Sequence, residues 1–385
     1  MSKIGRPFGA ACFSWRTMDT KRANAIRKKL LAWYAVEARD LPWRRTSDPY
    51  AIWVSEIMLQ QTRVETVVAY YERFLERFPT LAVLAASEID DVLKSWEGLG
   101  YYRRAHNLHR AARVVVSEHG GSLPGTAKAL RALPGIGAYT APAIASIAFG
   151  LDEPVLDGNI VRVLSRLFRI VGDPSKAPTR KALLREAERL VTHGDASHIN
   201  QALMDLGARI CLSRSPACTT CPLADACDAH HDGLETDYPQ KPTRKPIPHR
   251  DVVAGAVWDA EPFSAGAKLL IAQRHAEDML GGLWEFAGGG VEQGETLEEA
   301  LHRELQEELG IEVEILEPFM EVKHAYSHFR MTLHIFHCRH AGGEPRAIDC
   351  ADWRWVRVDD LDAFAFPTAD RKALLELSRL NASAG

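Results

Sequence analysis

Between Tyr238 and Pro248 the chain reads Tyr-Pro-Gln-Lys-Pro-Thr-Arg-Lys-Pro-Ile-Pro, a run dense in proline and base with no apolar period. Proline has no amide hydrogen and a fixed φ, so this segment cannot sustain a helix and reads as an interdomain linker. It separates two textures. From about Lys21 to Leu206, apolar residues recur at helical spacing, as in Ile57, Leu59, Val64, Val67 and Val68, then Leu108, Ala111, Ala112 and Val115. Leu133–Gly137 and Gly172–Pro174 punctuate them. Beyond the linker, Asp251–Trp258, Lys268–Ala272, Met331–Phe336 and Trp353–Val356 read as strands, and Leu297–Leu309 as an amphipathic helix. The expected chain is therefore multidomain: an all-α domain over 19–230, a linker over 231–249, and an α+β domain over 250–385.

Composition narrows the function. With 46% hydrophobic and 25% charged residues in 385, the chain suits a soluble globular protein. No apolar run approaches the roughly 20 residues that a bilayer crossing requires. Lys and Arg exceed Asp and Glu by 8 over residues 1–230 and fall short by 12 thereafter, together giving the net charge of −4. The basic part suits a polyanion such as DNA, and the acidic part must contribute something more selective. Of seven cysteines, four fall between Cys211 and Cys227, which favours a metal site in a reducing compartment over a disulfide framework. Residues 1–18 hold Lys3, Arg6 and Arg16 with no acid before Asp19. They read as a disordered tail with a faint likeness to a transit peptide, and Met18 is an alternative start.

Three constellations carry chemistry. In Leu133-Pro-Gly-Ile-Gly-Ala-Tyr-Thr140, Gly135 and Gly137 allow a tight turn whose amides can converge on a phosphate at a helix N-terminus, although an ordinary interhelical turn would look the same. In Val155-Leu-Asp-Gly-Asn-Ile160, Asp157 stands at a helix start, where plain N-capping is the simpler explanation. Cys211, Cys218, Cys221 and Cys227 are separated by six, two and five residues. Four thiolates suit a 4Fe-4S cluster, with zinc as the alternative.

Together these residues resemble the helix-hairpin-helix superfamily of DNA glycosylases, which includes endonuclease III and MutY, and the cysteine spacing resembles that of the cluster loop in those two families. Within the superfamily the chain looks like the MutY type of adenine glycosylase. Tyr139 stands where endonuclease III-like enzymes carry a nucleophilic lysine, so no Schiff base is expected. Leu41-Pro-Trp-Arg44, Trp53-Val-Ser-Glu-Ile-Met-Leu-Gln-Gln-Thr62, Gly98-Leu-Gly-Tyr-Tyr102 and Asn200-Gln-Ala-Leu-Met-Asp-Leu-Gly207 also resemble MutY, and the likeness covers nearly all of residues 21–230. Pro142 departs from it, standing where glycine is common.

The resemblance implies a substrate and a set of roles. Adenine paired with 8-oxoguanine or guanine in duplex DNA is flipped into a pocket and released. Glu56 is the general acid, kept protonated by its apolar surroundings, and Asp157 stays ionised to steady the cationic sugar. Tyr139 and Asn159 support Asp157. Gln60, Gln61 and Tyr101 enter or prop the stack, Arg44 and Leu59 border the adenine pocket, and the hairpin of Gly135 and Gly137 holds phosphate.

In the C-terminal part, Gly289, Glu295 and Arg303-Glu-Leu-Gln-Glu-Glu-Leu-Gly-Ile311 resemble a complete Nudix box of MutT-like hydrolases. Glu304, Glu307 and Glu308 fall on one helical face and could hold magnesium. MutY relatives carry a MutT-like domain here, usually with a decayed box, and use it to recognise 8-oxoguanine. His324-Ala-Tyr-Ser-His328 resembles their probing loop, which implies roles for Tyr326, Ser327 and His328. Competing readings are an endonuclease III-like glycosylase/lyase and a Nudix hydrolase tethered to DNA by its helical domain. A monomer without membrane attachment, working at the nucleoid in bacterial cytoplasm, is expected.

Overall fold

A computed structural model describes residues 19–192, 194–240, 246–326 and 328–384. The expectations for residues 1–18, for Ser327 and for the middle of the linker lie outside these. Among the described residues, twelve α-helices precede the linker: α1 Thr20–Glu37, α2 Pro49–Met58, α3 Val64–Arg77, α4 Leu81–Ala86, α5 Ile89–Trp96, α6 Arg103–Glu118, α7 Ala127–Leu130, α8 Thr140–Phe149, α9 Gly158–Leu167, α10 Ala177–Leu190, α11 Ala196–Arg209 and α12 Asp228–His231. After it come β1 His249–Trp258, β2 Lys268–Gln273, β3 Trp284–Glu285, α13 Leu297–Leu309, β4 Glu312–Ala325, β5 Arg330–Gly342, β6 Asp352–Arg357 and α14 Thr368–Ala384. None of the described helices is long and apolar enough to cross a membrane. The expected change from all-α to α+β texture is present, and α13 occupies the expected span. β3, β4 and α14 are additions to the expected elements.

The chain forms two compact units, Met1–Asp40 with Ala138–Pro242, and Leu41–Gly137 with Thr243–Gly385. In the first, Ile26 and Leu30 of α1, Ile160 and Leu164 of α9, Leu183 of α10 and Leu203 of α11 share one core. Two of its helices, α1 and α9, start on side-chain caps: Asp19 accepts from the Arg22 amide at 2.7 Å, and Asp157 from the Ile160 amide at 2.6 Å. Arg39 meets the fully buried Asp205, Nε to Oδ1 2.7 Å, joining the segment after α1 to α11.

The second unit joins α2–α7 to the six-stranded sheet, ordered β3-β2-β1-β5-β4 with β6 also paired to β2. β1 and β5 run parallel and the other pairs antiparallel. Side chains of β1 alternate between faces, as a strand requires. Val253 and Val257 join Leu301, Leu305 and Leu309 of α13, whereas Ala254, Ala256 and Trp258 join Phe366 and the α14 residues Ala369 and Leu377. Thr296 and Glu299 start α13 with a reciprocal capping box, and Gly310 ends it at φ 68°.

Candidate active site and nucleic-acid interface

Asp48 caps α2 through the Tyr50 amide at 3.0 Å, with Pro49 in the first helical position. Every residue from Tyr50 to Met58 is buried, so the helix runs through an apolar interior and carries Glu56 inside at 4% exposure. Glu56 is therefore not on a solvated face of the helix. Leu59 and Gln60 are half-buried at the helix end, and Gln61 is exposed with φ 58°. Arg44 closes the turn Pro42–Arg44, half-buried. Tyr101 is 44% exposed at φ 49°, so it is no core aromatic, whereas Tyr102 is buried.

The glycine turn is built as its sequence suggests. The Ile136 amide donates to the Leu133 carbonyl at 3.2 Å, and Gly135 has φ 74°. A Cβ on Gly135 would lie 2.5 Å from Asn107 Cβ, so only glycine lets the turn approach α6. Gly137 is exposed with open space around it. Tyr139 is the N-cap of α8 and packs half-buried against the first unit's core, and Pro142 fits the helix's first turn.

Asp157 does more than cap α9. Its Oδ1 takes the Ile160 amide, and its Oδ2 takes the Asn159 side-chain nitrogen at 3.0 Å. Asn159 Oδ1 in turn accepts from Arg162 Nη2 at 2.8 Å, and the same guanidinium donates to the carbonyls of Gly207 at 2.6 Å and Cys211 at 2.7 Å. A Cβ on Gly207 would fall 2.6 Å from Asn159 Cβ, so the glycine of the 200–207 motif lets α11 seat Asn159. Asn200 of that motif is 1% exposed and holds the approach to α9, accepting the Val155 amide at 3.3 Å and donating to the Glu153 carbonyl at 2.9 Å. Burial pushes the Asp157 carboxyl above the ordinary aspartate range, while the Ile160 amide, Asn159 and Arg162 pull against that shift.

Cys211, Cys218, Cys221 and Cys227 line one recess with Arg166, which donates to Cys211 Sγ at 3.3 Å. Burial, with Glu235 beside Cys218 and the neighbouring cysteines, holds the Cys218 and Cys221 thiols up at about 11 and raises Cys227 too, so a bound cation would be needed to hold them as thiolates near neutral pH. Among the described residues, the ligand-type set whose donor atoms all fall within 4.8 Å is Cys218, His230 and Glu235, not the four cysteines.

In the Nudix-like part the three glutamates have different surroundings. Glu304 lies under Gly289 and pairs with Arg303 at 2.9 Å; Glu307 is exposed and meets Arg303 at 3.2 Å; Glu308 accepts the Gly288 amide at 3.0 Å. Burial and the neighbouring Glu285 push Glu308 up to about 8. Tyr326 is half-buried, packed on His324 at 4.6 Å and Phe329 at 4.9 Å between ring centroids, whereas His328 is exposed.

Three functional candidates escaped the sequence reading: Arg104, Arg162 and Arg166. Each acts through contacts 40 or more residues distant, such as Arg104 to Gln60 and Arg162 to Cys211, and nothing local marks them.

Comparison with known proteins agrees with this arrangement. Residues 54–189 match the model of the HhH-GPD superfamily of base excision DNA repair proteins, and residues 263–376 match that of the NUDIX domain. An alignment of 406 residues is 36% identical to the adenine DNA glycosylase of Homo sapiens, covering 92% of this chain and 74% of that protein. The adenine DNA glycosylase of Rattus norvegicus is 35% identical, with 92% and 78% covered. A solved structure described as a thermostable thymine-DNA glycosylase is 33% identical, covers 55% of this chain and 98% of its own, and superposes with a TM-score of 0.51.

Proposed function

The chain belongs to the adenine DNA glycosylase family, hydrolases of N-glycosyl bonds in base excision repair, and from that premise we propose that it releases adenine paired with 8-oxoguanine or guanine in duplex DNA. The observation that carries the reading is Glu56, a carboxyl group held in the apolar interior of α2. Adenine leaves readily only as a neutral base, so Glu56 protonates a purine ring nitrogen as the bond to the sugar stretches. Asp157, fixed by the Ile160 amide and Asn159, faces the positive sugar as a carboxylate. Water then adds to the anomeric carbon and its proton restores Glu56. Tyr139 supports Asp157, and Arg44 and Leu59 border the base. Gln60, Gln61, Tyr101, Tyr326, Ser327 and His328 address the opposite strand, and Gly135 and Gly137 take a phosphate.

In this reading residues 19–230 perform the chemistry, 231–249 connect, and 250–385 recognise the oxidised base. Cys211, Cys218, Cys221 and Cys227 hold a 4Fe-4S cluster, which when bound crosslinks their loop. The protein works as a monomer on nucleoid DNA in bacterial cytoplasm. The test is incubation with duplexes pairing adenine with 8-oxoguanine, guanine or thymine, followed by alkali to cut at abasic sites. Cleavage greatest opposite 8-oxoguanine is expected, and equal cleavage at all three pairs would reject the specificity. With Tyr139 in place of lysine, borohydride should trap no adduct, and a trapped adduct would favour the lyase reading.

A second reading is supported by Glu308. Burial first, and then the neighbouring Glu285 and Glu304, disfavour its charged form, and a divalent cation bound beside it would favour that form instead. Magnesium held by Glu304, Glu307 and Glu308 would orient a nucleotide pyrophosphate for hydrolysis. Purified protein with magnesium and oxidised dGTP tests this, and pyrophosphate no higher than in a Glu308→Gln control would remove it.

A further inference from the structure

Arg104, in the first turn of α6, is 8% exposed. Its Nη1 donates to the carbonyls of Ile57 at 3.1 Å, Met58 at 2.7 Å and Gln60 at 2.6 Å. Its Nη2 donates to Thr62 Oγ1 at 3.1 Å and to the carbonyls of Leu99 at 3.1 Å and Gly100 at 2.9 Å. The guanidinium also lies 5.4 Å from the Trp96 ring centroid and 5.5 Å from that of Tyr101. One cation thus grips two turns distant in sequence, the end of α2 with one nitrogen and the segment before α6 chiefly with the other.

The gripped turns share an irregularity. Gln61 at φ 58° and Tyr101 at φ 49° both occupy the left-handed region, where a residue with a Cβ is strained. Both side chains are exposed. Backbone strain of this kind persists only where the surroundings over-determine it, and the carbonyls directly before the two strained residues, Gln60 and Gly100, are both Arg104 acceptors. Burial pulls the Arg104 pKa down to about 10, and no carboxylate among the described residues offsets it.

We propose that Arg104 is a positioning residue that locks Gln61 and Tyr101 as a paired probe, so that both meet the duplex already in register. The planar guanidinium fixes the separation of the two turns and removes the ordering entropy that two independent loops would lose on binding. The proposal rests on the duplex-DNA reading above.

The test is a mutant cycle in the full-length chain, combining Arg104→Met or Arg104→Lys with the Gln61→Ala/Tyr101→Ala pair. It measures Kd for a duplex carrying an uncleavable adenine analogue, the single-turnover rate at saturating protein, and Tm. Arg104→Met should weaken Kd about tenfold or more while the saturating rate falls less, and Arg104→Lys should recover part of the loss. In the Gln61→Ala/Tyr101→Ala background, the added Arg104→Met should change Kd by less than about twofold. Full additivity there, or a drop in Tm with Kd unchanged, would overturn the proposal. If Arg104→Met does not fold, Arg104→Lys takes its place in the cycle, and additivity would overturn the proposal there too. Failure of the underlying reading shows separately, as a wild-type protein that neither binds the duplex nor releases adenine.

Discussion

The Glu97 carboxylate receives the backbone N–H of Phe366 at 2.9 Å, joining the end of α5 to the segment leading into α14. Lys94 at 3.0 Å and Arg371 complete its shell, and the Tyr70 hydroxyl donates to the Glu97 carbonyl at 2.8 Å. The next residues, Gly98 to Tyr102, form the turn that presents Tyr101. The C-terminal part therefore holds one flank of this turn while Arg104 holds the other.

Glu97→Ala should uncouple that flank. Glu97 is buried between two cations, so its removal leaves Lys94 and Arg371 without their shared partner and should cost about 2–4 kcal/mol. Thermal melting measures the loss. Duplex affinity should also weaken, and an unchanged melting temperature would show that the ion pairs are worth little.

Asn159→Ala should move the pH profile. Asn159 donates to the charged form of Asp157, so losing it should raise an already elevated pKa further and shift the acid limb of kcat/KM to higher pH. The rate at neutral pH should fall about tenfold or more. A single-turnover profile from pH 4 to 9 checks this, and an acid limb that stays in place would place Asp157 outside the titrating pair.

Asp370 gives a stability prediction. It is buried, and desolvation aided by Glu285 pushes it up to about 8. A raised carboxyl contributes stability that is complete below the ordinary aspartate range and is lost as pH rises through about 8. Asp370→Asn should therefore raise Tm at pH 9 by about 2–4 °C and leave it little changed or lower at pH 5. Melting curves at the two pH values decide, and an equal shift at both would assign the effect to packing.

Much of this was legible in the sequence because it is local. α13 carries its amphipathic period, a capping box and a C-terminal glycine in one stretch, and Asp157 announces a helix start through side-chain chemistry alone. β4 was not legible: its pairing with β5 shifts register around Pro318, so its alternation never persists long enough to read. Gly207 belongs to a recognisable motif, but its purpose, making room for Asn159, emerges only when α11 crosses α9. Arg104 is the extreme case, an ordinary helical arginine in sequence whose partners lie in two other segments.

The most direct test is adenine release by Glu56→Gln under single-turnover conditions on a duplex pairing adenine with 8-oxoguanine. Gln keeps the shape but has no proton to give, so the rate should fall by at least about a hundredfold while duplex affinity and Tm stay close to wild type. Release at the wild-type rate would contradict the assignment of Glu56 as the acid, and with it the account of how this chain breaks the glycosidic bond.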